Sequence, residues 1–364
     1  MTTTDPRVRD FTESAPRRIR IEIDPSPAYE LLFELFALDN PEDSSQYAAG
    51  QDWLDETRGR LPAEFLADLE ELKTGGEIWL VLLGLVYDTP APKTIEAFLD
   101  HLKSMDPDAF RAHLIARAWF TKESEVPEDI IAAAAAGDEE AYAAICRAAD
   151  DCSCGPGWAN LLALSAQEVK GTVIGLLEGY AEKGFDGEVS KLLDRDARAK
   201  RALAASLSPV EMIERATNGI TLANTDGVEA VILIPSVVIR PFVVITDHGA
   251  LRIFGYPVSE EFLTADEDAP PSWLVDFYKA VGDEKRLRIL TVLAQNDATL
   301  GDLVERLDLS KSTVHHHLRL LRTAGLVRVT IGEEHVFSLR PGALPQAGPL
   351  LETYLNEHTT TETE

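Results

Sequence analysis

The sequence predicts an α+β fold. A mostly helical N-terminal domain with a small antiparallel sheet is followed by a smaller C-terminal domain of short helices closed by a β-hairpin. Three observations predict it. Segments of helix length, rich in alanine, leucine and glutamate and divided by glycine or proline, fill most of the chain to about Leu207. Three apolar runs, two of them rich in β-branched residues, follow Gly227, at 228–234, 242–246 and 250–254. Beyond an acidic stretch ending in Pro270-Pro271, helical periodicity returns and then yields to two alternating segments around Gly332.

In chain order, residues 1–16 are polar and read as a flexible arm. Arg18 to Ile23 alternates polar and apolar, the period of a half-buried strand. Ser26-Pro27 is a helix start, and Leu31, Leu32, Leu35 and Phe36 give that helix an apolar face. Pro62–Leu72, Ala109–Phe120, Ala166–Lys183 and Gly187–Ala205 are further helices. The three apolar runs form an antiparallel sheet with a turn at His248-Gly249, and the early strand is its natural extra member. Residues 17–258 are then one α+β domain, a sensor or effector unit. Residues 259–271 are an acidic, proline-terminated linker, 272–341 a second domain, 342–356 a last helix and 357–364 a disordered tail.

A chain of 364 residues with 45% hydrophobic and 26% charged residues has room for two or three packed domains. Cys146, Cys152 and Cys154 are no disulfide framework, which places the chain in a reducing, cytoplasmic setting. The N-terminus has no signal-peptide pattern, and the longest apolar run, Ile78–Tyr87, is about half a membrane span. The reading is a soluble protein with no membrane partner. The net charge of −28 opposes nucleic-acid binding unless it is unevenly spread.

It is unevenly spread. Leu274, Phe277, Tyr278 and Val281 mark one helix, Leu287, Ile289, Leu290 and Leu293 a second, and Leu300, Leu303, Val304 and Leu307 a short third. After Asp308-Leu309, Ser310 caps a fourth helix with Val314, Leu318 and Leu321 inward, and Gly325 ends it. Leu326–Ile331 and His335–Leu339 follow as a hairpin. This order is that of a winged helix-turn-helix. Its fourth helix turns Ser312, His315, His316 and Arg319 outward, where they can meet base edges, with Lys311 and Arg322 on the flanks for phosphates. Ser310, Thr313 and Arg328 complete the candidate DNA-binding set. Residues 272–340 hold ten basic and nine acidic side chains, against 24 and 53 in the rest, and 309–332 contains no acidic residue at all. A locally basic element on an acidic body suits selective duplex binding.

Ala280-Val-Gly-Asp-Glu-Lys-Arg-Leu-Arg-Ile-Leu290, Leu309-Ser-Lys-Ser-Thr-Val-His-His-His-Leu318 and Leu321-Arg-Thr-Ala-Gly-Leu-Val327 together resemble the ArsR/SmtB family of winged-helix regulators. The resemblance covers about the last quarter of the chain. It implies a homodimer reading two half-sites of a double-stranded DNA operator, repression by default, and a dimer contact through Trp273, Phe277, Leu350, Leu351, Tyr354 and Leu355. More loosely, Ile232-Leu-Ile-Pro-Ser-Val-Val resembles the uncharacterised N-terminal domains of some actinobacterial ArsR-like proteins. Three departures matter. The stretch Ala298–Leu303 lacks the Cys-x-Cys of metal-sensing members, and Glu352, Glu357 and His358 lack the spacing of the family's last-helix ligands. Glu333-Glu334 stands at the wing tip where basic residues are common, which weakens a wing contact.

Other candidates have plainer readings beside the sharp ones. His315-His316-His317 cannot share one ion, because adjacent helix positions diverge by about 100°. The cysteine trio could bind a soft metal or act as a thiol switch; the plain reading is half-buried cysteines at a helix end, and Asp150-Asp151 would raise their pKa values. Asp247-His248 reads as a solvated turn. Trp53, Trp79, Trp119 and Trp158 read as core or as the lining of an apolar pocket. The leading function is a sequence-specific DNA-binding transcriptional regulator, a repressor, whose N-terminal domain senses an unknown signal. An unknown small-molecule effector or inducer is left open, and no cofactor is assigned. The alternatives are a soft-metal or redox-responsive regulator using Cys146, Cys152 and Cys154, and a regulator whose acidic N-terminal domain binds a protein partner. No catalytic constellation is present, so an enzyme is not expected.

Overall fold

Ser26 caps helix α1 (Pro27–Asp39) by accepting from Ala28 N, and its hydroxyl donates to Lys93 O at 2.7 Å. The expected single apolar face understates this helix, because every residue from Ala28 to Leu35 is buried, as are Ala37 and Leu38. A helix apolar on all sides belongs inside a core, and α1 carries Glu30 and Glu34 in with it. The fold is a computed structural model, described for residues 19–40, 47–118, 121–122, 124–151, 157–224, 227–263, 270, 272–332, 334–340, 348–349, 351–352 and 354–355.

Around α1 lie α2 (Gly50–Arg60), α3 (Ala63–Leu72), α4 (Glu77–Val81), α5 (Leu83–Asp88), α6 (Ile95–Ser104), α7 (Pro107–Arg117), α8 (Glu128–Ala135), α9 (Glu139–Asp151), α10 (Gly157–Leu162) and α11 (Ala166–Lys183). Trp79, Trp158, Phe98, Phe110 and Tyr180 are fully buried in this first core, and Trp53 packs against it; Trp119 lies outside the described residues. Two helices, α12 (Val189–Ala204) and α13 (Pro209–Ala216), lead away from it.

The first sheet contains β1 (Arg20–Ile23), β3 (Ala230–Ser236), β4 (Val244–His248) and β5 (Leu251–Pro257), in the order β1-β3-β5-β4. It is mixed, which corrects the antiparallel expectation within an α+β fold. The pairs β1–β3 and β3–β5 are parallel, and only β4–β5 is an antiparallel hairpin. The physical reason is legible in β3, whose seven residues are all buried. A continuous apolar run is the mark of a strand covered on both faces, as in parallel sheets. Ala230, Ile232 and Ile234 join the first core. Val231 and Leu233 face a second core.

That second core runs on into the C-terminal elements. These are α14 (Ser272–Val281), α15 (Glu284–Leu293), β6 (Ala298–Thr299), α16 (Leu300–Leu307), α17 (Lys311–Thr323), β7 (Val327–Ile331) and β8 (Val336–Leu339). One cluster joins Phe254, Tyr256, Ala197 and Ile213 to Ile289, Leu303, Val314, Leu318 and Leu326. The second sheet has the order β2-β7-β8-β6, and its outer strand β2 (Ile220–Leu222) comes from the N-terminal part, running parallel to β7. No such strand was expected from the sequence. Gly219, at φ +107°, makes the turn into β2; a Cβ there would stand 2.9 Å from Val327 O.

The expected linker is anchored at its start. Asp196 Oδ1 accepts from Ser259 N at 2.9 Å, and Arg240 pairs with Glu260 at 2.7 Å.

Candidate nucleic-acid interface

Helices α16 and α17 form the helix-turn-helix. Thr299 caps α16 in a reciprocal box with Asp302, and Asp308, in the left-handed region at φ +53°, makes the turn. Ser310 caps α17 by accepting from Thr313 N at 3.2 Å. Val314, His317, Leu318 and Leu321 are the buried side of α17. Its C-terminus closes on Gly325 (φ +70°), with Leu326 N donating to Leu321 O.

The residues expected at a duplex divide into two groups. Ser310, Lys311, Ser312, His315 and His316 are exposed along the first half of α17, with Thr313 half-buried beside them. Partial burial and the nearby Arg319 charge hold the His315 ring below its ordinary value, which favours the neutral ring, with one nitrogen to donate and the other to accept. Arg319 is half-buried, its Nη2 3.3 Å from His316 Nδ1 and its guanidinium 5.3 Å from the centroid of the Phe242 ring.

Arg322 and Arg328 have their donors taken within the chain. Arg322 Nη1 donates to Thr217 O at 3.0 Å, and burial pulls its pKa down to about 10. Next to it Asn218 Nδ2 donates to Thr323 O at 2.7 Å. Arg328 lies 3.7 Å from Glu214 and donates to Ser338 Oγ, while Arg340 pairs with the same Glu214 at 3.4 Å. Of the cations expected to meet phosphates Lys311 is exposed, whereas Arg322 and Arg328 are engaged by α13 and the turn that follows it. Thr217, Asn218 and Glu214 are functional neighbours the sequence reading missed. The available signal was Asn218-Gly219, a turn dipeptide, leading into the β-favouring Ile220-Thr221-Leu222.

Of the residues expected at a dimer contact, Phe277, Leu351 and Tyr354 are half-buried and Leu355 is 54% exposed. The Trp273 side chain and Leu350 lie outside the described residues, as do Cys152, Cys154 and Glu333. Cys146 is half-buried, and burial pushes its thiol pKa up, which disfavours a reactive thiolate. Among the described residues no three His, Cys, Asp or Glu side chains are grouped to hold a metal ion. His248 is not the solvated turn residue expected: it bonds Asp88 at 2.8 Å and lies over Gly84.

In the N-terminal part a groove of about 630 Å³ opens between α3 and the pair α10 and α11. Phe65, Leu72, Leu161, Leu164 and Leu176 give it an apolar floor, with Glu64, Asp68 and Glu71 on one wall. No helix among the described residues is long and apolar enough to cross a membrane.

These elements define a winged helix-turn-helix domain fused to a larger α+β body. The chain belongs to the family of unknown function DUF5937, whose model matches residues 10–261, and it carries a domain matching the bacterial regulatory protein, arsR family, at residues 283–329. It is similar to the transcriptional activator HlyU of Vibrio cholerae, 42% identical over 59 residues, which are 16% of this chain and 55% of that protein. It is also similar to the transcriptional repressor SmtB homolog of Synechocystis, 34% identical over 67 residues, 18% and 51% of the two chains. The chain thus spans about half the length of the curated relatives it matches. Among solved structures, HlyU aligns at 31% identity over 23% of this chain and 94% of its own, with a TM-score of 0.20.

Proposed function

We propose that the chain is a sequence-specific DNA-binding regulator of transcription that binds a duplex operator as a homodimer, represses by default and receives its signal in the N-terminal part. The observation that carries this reading is the first half of α17: Lys311, Ser312, His315 and His316 exposed on a helix whose opposite side is buried, in a stretch with no acidic residue. An exposed helix with donors and acceptors on one face fits a major groove, where each base pair presents a distinct pattern. The match to the arsR family supports the DNA-binding class. The relatives named above include both an activator and a repressor.

Signal reception in the N-terminal part is supported by its joints with the reading helix. A body that shares a core and a strand with the winged helix can bias its position, and a ligand that prefers one arrangement shifts the population toward it. The groove beside α3 has the volume of a small-molecule site. The test is a mobility-shift titration of the full chain on a duplex that it selects, repeated with Arg319→Ala. If Arg319 reads a base, the variant loses about 1–3 kcal/mol of binding and relaxes specificity at one base pair. Unchanged affinity and specificity would assign the reading face wrongly.

A further inference from the structure

The groove beside α3 has chemically different sides. Its floor carries the buried apolar residues Phe65, Leu72, Leu161 and Leu176. One wall carries Glu64, Asp68 and Glu71, at i, i+4 and i+7 of α3. These positions share one helix face, and all three are exposed. The opposite wall belongs to α11, where Gly171 and Gly175 stand one turn apart. A Cβ added to either glycine would meet nothing within 4 Å, so this wall leaves room where most helices place side chains. Among the described residues that line the groove, Lys183 is the one base against three acids.

Nothing in the chain neutralises those acids. Glu70, next to them on α3 but not lining the groove, pairs with Lys73 at 2.8 Å. Glu178 of α11, also off the groove, pairs with Lys103 at 2.6 Å. Among the described residues no cation pairs with Glu64, Asp68 or Glu71. A metal ion does not fit the arrangement, since no three ligating side chains among the described residues are grouped to hold one. The floor calls for an apolar body and the wall for a positive charge. A bulky organic cation meets both demands. It is weakly hydrated, and its attraction to the carboxylates grows as the floor excludes water. Phe65 adds an aromatic ring, a further partner for a cation.

The floor is also tied to the buried helix. The Phe65 ring stacks with that of Tyr180 at 6.3 Å and 30°, and Tyr180 OH donates to Glu34 Oε2 at 2.6 Å. One turn earlier on α1, Glu30 Oε1 accepts from Val237 N and Val238 N at 2.9 Å, just past the end of β3. Strand β3 contributes to both cores, including the one shared with the winged helix.

We infer that the groove is a binding site for a hydrophobic organic cation, held by the charge of Glu64, Asp68 and Glu71 over the apolar floor. This inference deepens, and rests on, the reading of the N-terminal part as the place where the signal is received. A ligand that shifts Phe65 acts on the packing of α1 and β3, and through them on the body to which the reading helix is joined.

The test is calorimetric titration of the full chain with tetraphenylphosphonium, beside tetraphenylborate, an anion of the same shape. The cation is expected to bind about tenfold more tightly than the anion. Neutralising the wall in a triple variant, Glu64→Gln with Asp68→Asn and Glu71→Gln, is expected to weaken cation binding about tenfold and to remove the preference, as three partly exposed charge contacts imply. A control variant neutralises three exposed carboxylates away from the groove, Glu56→Gln with Glu261→Gln and Glu305→Gln, and keeps wild-type binding. Gly175→Leu fills the groove, keeps the melting temperature at or above that of the wild type, and abolishes binding. Equal binding of cation and anion, or equal losses in the two triple variants, overturns the inference. So does self-association of the wild-type chain that Gly175→Leu abolishes without any cation binding, which assigns the groove to a second copy. Cation binding that leaves the affinity for a selected duplex unchanged upholds the site and overturns signal reception through it. Failure to select any duplex overturns the DNA-binding reading and leaves the cation site standing.

Discussion

The two halves of the reading helix live in different chemical settings. From Lys311 to His316 the outward side chains meet solvent. From Arg319 to Thr323 they meet the N-terminal part, through the Phe242 ring, the Thr217 carbonyl and the Asn218 amide. The difference teaches that identical residue types on one helix face need not share a role. An arginine is a phosphate ligand only if nothing else takes its donors. In this chain Arg322 and Thr323 belong to a joint with the N-terminal part, and the face proposed for a duplex is the exposed side that begins at Lys311.

The largest expected effect comes from cutting that joint. Ile220 is 5% exposed in β2 and belongs to the core shared by both parts. Ile220→Ala should cost about 2–4 kcal/mol in urea unfolding, as large-to-small changes in cores do. A loss under about 1 kcal/mol would mean that β2 is dispensable to the winged helix. Next in size is the contrast between two cations of α17. Arg322→Ala should lower stability by about 1–3 kcal/mol, because it strips a charged donor from a backbone carbonyl, while its salt slope for DNA stays at the wild-type value. Lys311→Ala should leave the melting point alone and reduce the salt slope by about one. The reverse pattern would exchange the roles of the two halves.

The fold was legible where one element makes its own signal. The caps at Ser26, Ser310 and Gly325 and the buried stripe of Val314, Leu318 and Leu321 were readable because capping and helical period are local. The parallel pairing of β3 was harder. Its seven-residue buried run says that both faces are covered, but pairing partners lie over 200 residues apart for β1 and across a turn-rich segment for β5. The candidate site was half legible. Exposure of Lys311, Ser312, His315 and His316 follows from the helical wheel. The loss of Arg322 and Arg328 to Thr217, Glu214 and Ser338 could not, because it depends on a strand of three residues docking from another part of the chain. Nor does a lone phenylalanine before a valine run announce that an arginine 77 residues later lies over its ring.

The buried carboxylates of α1 give a smaller, pH-dependent effect. Burial lifts Glu30 to about 7, and burial together with the Glu30 charge lifts Glu34 well above the ordinary carboxylate range. A group whose folded pKa is raised contributes stability that is complete below its unfolded value and lost as pH rises through the folded one. His113, held down to about 4 by burial, acts in the opposite direction only below its unfolded value of 6.5. Between pH 6.5 and 8 the melting temperature should therefore fall, and Glu34→Gln should flatten the fall. An equally steep fall in the variant would place the titration elsewhere.

The smallest effect concerns the groove. Gly175 lies in mid-helix on its wall, and a Cβ there would meet nothing within 4 Å. Gly175→Ala should stabilise the chain by about 0.5–1 kcal/mol through helix propensity alone. Destabilisation on thermal melting would mean that the groove closes in solution.

The central claim is that the first half of α17 reads a duplex. Selection of random duplexes by the full chain, followed by reselection with His316→Ala and Lys311→Ala, tests it most directly. The account predicts enrichment of a sequence with two half-sites about 10–11 base pairs apart, as a dimer of recognition helices requires. It also predicts an altered half-site for His316→Ala and weaker binding to the same half-site for Lys311→Ala. No enrichment by the wild-type chain, or an identical half-site and affinity from both variants, would contradict it.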